Sequence, residues 1–173
     1  MSQDASSIRL VPATLADVPL ILSLIRELAE YEKLAHECVA TEEKLREALF
    51  GPERVAYAVV AYDGDVPAGY ALYFLTFSTF LAKTGVYLED LFVKPAHRKR
   101  GIGRRLLQYV ARVAAERGGR MEWSVLTWNE LALGVYRAIG ARRLEDWAIM
   151  RLTGPELAAL AEGAPAVPPA SAL

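Results

Sequence analysis

The chain has 173 residues, 53% of them hydrophobic and 24% charged, which is enough for one domain with its own core. A formal net charge of −1 excludes a protein that holds nucleic acid by its overall field, so any attraction for anions has to come from local clusters. Cys38 is the single cysteine, which excludes an intrachain disulfide and metal–thiolate centres and fits a reducing, cytoplasmic setting.

Residues 1–7 are polar, without the apolar stretch of a secretory signal, and are expected to be disordered. Ile8 to Val11 reads as a short strand. Thr14-Leu-Ala-Asp17 resembles a capping box, and Ile21, Leu24, Ile25 and Leu28 recur at helical spacing, so a helix is expected from about Leu15 to Lys33. Thr41-Glu-Glu-Lys44 opens a second helix that Gly51-Pro52 stops. The texture then changes to period two. Val55 to Tyr62 and Ala68 to Phe77 read as strands around an Asp63-Gly64-Asp65 turn, and Val86 to Val93 as a third strand of an antiparallel meander. The longest apolar run, Leu72 to Leu81, is too short and too interrupted to span a bilayer.

Ile102 to Arg117 has a helical stripe, closed by Gly118-Gly119, and Met121 to Leu126 is the next strand. Strand, crossover helix and strand make a βαβ unit, so this strand is expected to run parallel to Val86–Val93. Asn129 caps a helix from Glu130 to Ile139. Arg142 to Leu144 and Ala148 to Leu152 read as closing strands, and Thr153-Gly-Pro-Glu156 opens a last short helix. The Ala/Pro-rich tail from Gly163 is expected to be disordered. The fold class is α/β: about seven strands in a mixed sheet with helices on both faces, one domain over residues 8–162.

Three groups of residues can carry chemistry. Arg98-Lys-Arg-Gly101-Ile-Gly103-Arg104 lies between an apolar strand and an amphipathic helix. Two glycines remove Cβ atoms where a backbone must approach a ligand, the helix start offers unpaired amides, and cations surround them, which points to a phosphate. The Walker spacing is absent, and Leu106 stands where a dinucleotide fingerprint has its third glycine. Asn129 and Tyr136 are seven residues apart on one helix, near two turns, and so share a face. Tyr136 is either a proton donor or a core aromatic with a hydrogen-bonded tip. Glu89 and Asp90 are consecutive on a strand, so one of them faces the core or a cleft, where a carboxylate needs a task or an ion-pair partner.

Arg98-x-x-Gly101-x-Gly103 resembles the Arg/Gln-x-x-Gly-x-Gly/Ala signature of the GCN5-related N-acetyltransferases, and the strand–helix order is similar over about Ile8 to Leu152. Tyr31-Glu32, Tyr87-Leu-Glu-Asp-Leu-Phe-Val93, Trp128-Asn-Glu130 and Tyr136-Arg-Ala-Ile-Gly-Ala141 resemble the spermidine/spermine N1-acetyltransferase branch, which includes thialysine acetyltransferases. The resemblance implies that acetyl-CoA is the cofactor. Arg98, Lys99, Arg100, Gly101, Ile102, Gly103 and Arg104 would hold its pyrophosphate, the backbone of Leu91, Phe92 and Val93 would pair with pantetheine, and Asn129 would orient it. Tyr136 would be the general acid. Glu89, through water, would take the proton of an ammonium whose reference pKa is about 10.4.

The resemblance also implies that Glu32 and Asp90 hold the far ammonium of the amine, with Tyr31 and Trp147 as walls. Polyamine-type members carry an acidic residue where this chain has Thr79, and Phe77-Ser-Thr-Phe80 resembles the thialysine type, which favours a shorter, lysine-like amine over spermidine. A homodimer is implied as well. The alternatives are an acyl-CoA sensor without turnover, a family member acting on a protein N-terminus or another amine, and nucleic-acid binding through His97 to Arg105. The last of these is disfavoured by the short cluster and its lack of interleaved aromatics.

Overall fold

A computed structural model describes residues 8–165. The expected disorder of residues 1–7, and of the tail beyond residue 165, falls outside the described residues. The chain divides into two compact units, one running to Ser124 and the other starting at Val125.

The first unit holds a five-stranded sheet in the order β1-β2-β3-β4-β5. The strands are β1 (Ile8–Pro12), β2 (Tyr57–Asp63), β3 (Val66–Ser78), β4 (Lys83–Val93) and β5 (Met121–Trp123). The first four pair antiparallel, and β5 pairs parallel with β4, as a crossover through a helix requires. The crossover is α3 (Ile102–Arg117). Between β1 and β2 lie α1 (Val18–Tyr31) and α2 (Glu42–Phe50).

Local chemistry accounts for the ends of these elements. The Asp17 carboxylate accepts from both the amide and the hydroxyl of Thr14, closing one tight turn ahead of α1. The Thr41 hydroxyl accepts from the Lys44 amide and caps α2. Gly64, at φ 62°, makes the two-residue hairpin turn that Asp-Gly predicts. One face of the sheet packs on α1 and α2: Ile21, Leu24, Leu28 and Leu49 meet Ala58, Val60, Tyr70, Leu72 and Phe92. The α3 stripe of Ile102, Leu106, Leu107, Val110 and Ala114 is buried as well. Each fully buried Leu or Ile contributes roughly 2 kcal/mol of transfer free energy.

Two sequence expectations need correction. Five strands form among the described residues, against about seven expected, and β5 stops at Trp123 short of Leu126. The β4–β5 ladder covers only Val86–Leu88 against Met121–Trp123, and it ends where β4 carries a bulge, at Glu89, in its pairing with β3. Residues 142–144 and 148–152 have strand-like texture but form no strand. A strand exists only by pairing, and among its described residues the second unit contains no strand to offer an edge. That unit consists of α4 (Glu130–Ala138), α5 (Gly154–Glu162) and irregular chain around them.

Candidate active site

β4 ends at Val93, and the Lys94 amide donates to Ala68 O at 2.8 Å, so the chain leaves the sheet at a fixed point. Pro95–His97 forms one 3₁₀ turn. Lys99 and Gly101 then adopt left-handed backbone, φ 62° and 80°, and α3 begins at Ile102. The amide of Arg105 is the first to bond back, to Gly101 O at 3.0 Å, and no side chain caps the helix start. The amides of Ile102 to Arg104 therefore stand in the first turn, at the positive end of the helix dipole.

The two glycines have different reasons. Gly101 is needed for its φ. A Cβ on Gly103 would meet only Val93 Cγ2, at an ordinary 3.6 Å, so packing does not demand glycine there, whereas a ligand lying on the backbone does. This cradle fits a pyrophosphate.

The basic residues of the loop divide into anchors and exposed charges. Arg98 donates through Nε to Val93 O at 3.0 Å, and its guanidinium lies 4.4 Å from the centre of the Tyr31 ring. It ties the end of α1 to the end of β4. Arg100 pairs with Asp63, whose carboxylate also meets His97 Nδ1 at 2.9 Å. The Asp63 side chain is only 7% exposed, so this pair of contacts pins the loop to the β2–β3 hairpin. Lys99 and Arg104 are exposed.

The strand before the loop is shaped by its bulge. The β3–β4 register passes from Leu72↔Asp90 to Tyr73↔Leu88 and leaves Glu89 as the extra residue. Glu89 is exposed. Leu91, Phe92 and Val93 pair with Ala71, Tyr70 and Gly69 on one edge, while the β5 ladder has ended before their other edge. A Cβ on Gly69 would come within 2.3 Å of Phe92 O, so glycine is required for this close approach of β3 to β4. A strand edge beyond the end of its ladder can take an amide-bearing ligand as an added strand, and here the Val93 carbonyl is already held by Arg98.

Of the two adjacent carboxylates, Asp90 is the one turned inward. Its Oδ2 accepts a hydrogen bond from the Tyr70 hydroxyl at 2.8 Å. Burial, opposed by that hydrogen bond and reinforced by Glu89 and Glu32, raises its pKa to about 6. Glu32, the C-cap residue of α1, is also raised, by burial. Tyr70 is fully buried and held well above the usual phenol range by burial first and then by Asp90, with Glu32 and Cys38 contributing. The carboxylates of Glu32, Glu89 and Asp90 thus form a negative cluster that a cation would relieve.

In the second unit, Asn129 Oδ1 accepts from the Ala132 amide at 3.2 Å and caps α4. Tyr136 lies two turns further along, and an ion pair between Glu130 and Arg137, at 3.0 Å, braces the same span of helix. Trp147 lies in the irregular segment between α4 and α5. Among the predicted site residues, the first unit brings together Tyr31 with Arg98, Asp90 with Glu32 and Glu89, and Leu91 to Val93 with the glycine loop. Asn129, Tyr136 and Trp147 belong to the second unit. Sequence reasoning missed Tyr70, and it saw Asp63 only as a turn residue.

Residues 22–141 match the model of the acetyltransferase (GNAT) family. The chain belongs to that family. It is 39% identical to the thialysine N-epsilon-acetyltransferase of Bos taurus, over 82% of this chain and 89% of the relative. It is 33% identical to an L-ornithine N5-acetyltransferase of Arabidopsis thaliana, over 90% of this chain and 87% of the relative. A Vibrio cholerae integron cassette protein of solved structure superposes with a TM-score of 0.76 at 25% identity, covering 90% of this chain and 98% of its own. The protein is an acetyl-CoA-dependent N-acetyltransferase that acetylates an amine, in the branch of the thialysine and spermidine/spermine enzymes. A sensor without turnover is set aside.

Proposed function

We propose that the amine is a short, lysine-like one, carrying a second positive charge beside the nitrogen that is acetylated. The observation that carries this reading is the cluster of Glu32, Glu89 and Asp90. Burial, with Glu89 and Glu32 adding to it, makes the Asp90 carboxylate costly to ionise, burial does the same for Glu32, and an ammonium bound among them offsets that cost. The names of the thialysine and ornithine relatives support the same substrate class.

Acetyl-CoA supplies the thioester that carries the acetyl group. Its pyrophosphate suits the amides of Gly101 to Arg104, with Lys99 and Arg104 adding charge and Arg98 and Arg100 holding the loop in shape. The open edge of Leu91, Phe92 and Val93 suits pantetheine, and Asn129 assists from the cap of α4. Glu89, exposed at the bulge, accepts the proton of the attacking ammonium through water. Tyr136 donates its phenol proton to the departing sulfur. A phenol of reference pKa about 10 and a thiol near 8.5 are close enough for that transfer to need little driving force. Glu32 and Asp90 hold the distal ammonium, and Tyr31 and Trp147 wall the site. The roles of Asn129 and Tyr136 rest on the motifs that contain them, and that of Trp147 on the family resemblance alone.

The active form we infer is a homodimer, on the pattern of the branch, and the single cysteine suits a reducing, cytoplasmic setting. The test is to incubate the purified chain with acetyl-CoA and a panel of thialysine, lysine, ornithine, spermidine and an aminoglycoside, and to weigh the products. Mono-acetylated thialysine, lysine or ornithine is expected. Acetylation of the aminoglycoside or spermidine alone would overturn the reading.

A further inference from the structure

We propose that Tyr70 is a positioning residue for the amine site: its hydroxyl occupies one oxygen of the Asp90 carboxylate, fixes the group's orientation and leaves the other oxygen for the substrate ammonium. The inference rests on the reading of Asp90 as a substrate residue and adds a role for Tyr70, which none of the motifs contains.

The geometry follows from the sheet. Tyr70 pairs with Phe92, and Leu72 pairs with Asp90, so Tyr70 and Asp90 are diagonal neighbours on one face. The Tyr70 side chain has no exposed surface and is packed among Ile21, Leu24, Leu28 and Leu49. Phenylalanine would fill that space equally well, so packing alone does not account for the hydroxyl. Its proton is donated to Asp90 Oδ2 at 2.8 Å.

The charged and titratable groups around this pair come from every neighbouring element. Glu32 acts from the end of α1, Cys38 from the segment after it, and Glu89 from β4 itself. Burial, Glu89 and Glu32 all favour a neutral Asp90; the Tyr70 hydrogen bond is the one influence that favours its charge. A neutral carboxyl holds an ammonium poorly. Tyr70 therefore keeps Asp90 both oriented and charged near neutral pH, and its own hydroxyl, with no exposed surface, is shielded from competing water.

The experiment measures KM for thialysine and for acetyl-CoA between pH 5 and 7.5. It compares the parent chain, Tyr70→Phe, Asp90→Asn and a chain carrying 3-fluorotyrosine at position 70. In the parent, KM for thialysine rises as pH falls through the Asp90 titration. Tyr70→Phe should move that rise upward by about one pH unit with KM for acetyl-CoA unchanged. Fluorotyrosine, a stronger donor in the same shape, should move it downward. Asp90→Asn should abolish it and raise KM at every pH.

If Asp90→Asn behaves so but neither Tyr70 variant moves the titration, the role of Tyr70 is overturned and that of Asp90 stands. If Asp90→Asn leaves KM for thialysine and its pH dependence untouched, the reading of Asp90 fails, and the role of Tyr70 with it. Should Tyr70→Phe not fold, the fluorotyrosine chain, which keeps the ring and the hydroxyl, decides the question by the same shift.

Discussion

Replacing Asp90 by asparagine should make the protein's stability less sensitive to pH, and the size of the effect follows from the burial of this one carboxylate. An Asp with pKa 3.8 when unfolded and about 6 when folded is protonated in both states below pH 3.8, and there it costs nothing. Between those values the unfolded chain releases the proton while the folded chain retains it, so stability falls as pH rises. Above pH 6 the loss is constant. At about 1.4 kcal/mol for each tenfold change in proton affinity, it amounts to roughly 3 kcal/mol. The side-chain amide of the Asp90→Asn variant does not titrate. It can still accept from Tyr70, and any mismatch in its added N–H groups is an offset independent of pH.

Thermal unfolding of parent and variant at pH 4 and pH 8 isolates the difference. The variant should gain about 6–12 °C on the parent between the two pH values, given about 2–4 °C per kcal/mol in a chain of this size. A gap between the two melting temperatures that stays constant with pH would refute the claim that Asp90 is ionised at a cost. The gain in stability should come with a raised KM for the amine, since the charge that is expensive to bury is the one that binds substrate.

Other perturbations separate the parts of the site. Tyr136→Phe should lower kcat by about 10²-fold or more while acetyl-CoA binding measured by calorimetry is unchanged; an unchanged kcat would remove Tyr136 from the chemistry. Gly103→Glu should leave the melting temperature nearly unchanged, because a Cβ has room beside Val93, yet should weaken acetyl-CoA binding about tenfold or more by placing an anion at the first turn of α3. Equal loss of stability and binding would point to misfolding instead. Asp63→Ala should free His97 and Arg100 and raise KM for acetyl-CoA several-fold with KM for the amine constant, which steady-state kinetics at pH 8 would show.

Much of the scaffold was legible in the sequence because it is determined locally. α3 runs from Ile102 to Arg117 as the apolar period and Gly118 predict, and the caps at Thr41 and Asn129 form as their residue types imply. The hairpin turn at Gly64 and the parallel pairing of β5 also follow from short-range signals. The closing strands failed because pairing is a property of a partner, which residues 142–152 carry no information about.

The same distinction divides the site. The glycine loop announces itself within six residues. The Tyr70–Asp90 and Asp63–His97 contacts join residues 20 and 34 apart, and the sheet register decides them. The bulge at Glu89 is the decisive event: it shifts the alternation by one, turns Asp90 toward Tyr70 and leaves Glu89 exposed. Alternation alone told only that one of the two carboxylates would turn inward.

Acetyl transfer to a short diamine-like substrate, held by the Glu32–Asp90 cluster, can be tested by a competition in one vessel. Thialysine and spermidine at equal concentrations meet limiting acetyl-CoA, and both acetylated products are quantified by mass spectrometry. Acetyl-thialysine should exceed acetyl-spermidine by about tenfold or more, and the ratio should collapse toward parity in Asp90→Asn, as expected for the loss of one buried charge pair. An excess of acetyl-spermidine, or a preference for thialysine untouched by Asp90→Asn, would contradict the proposed site.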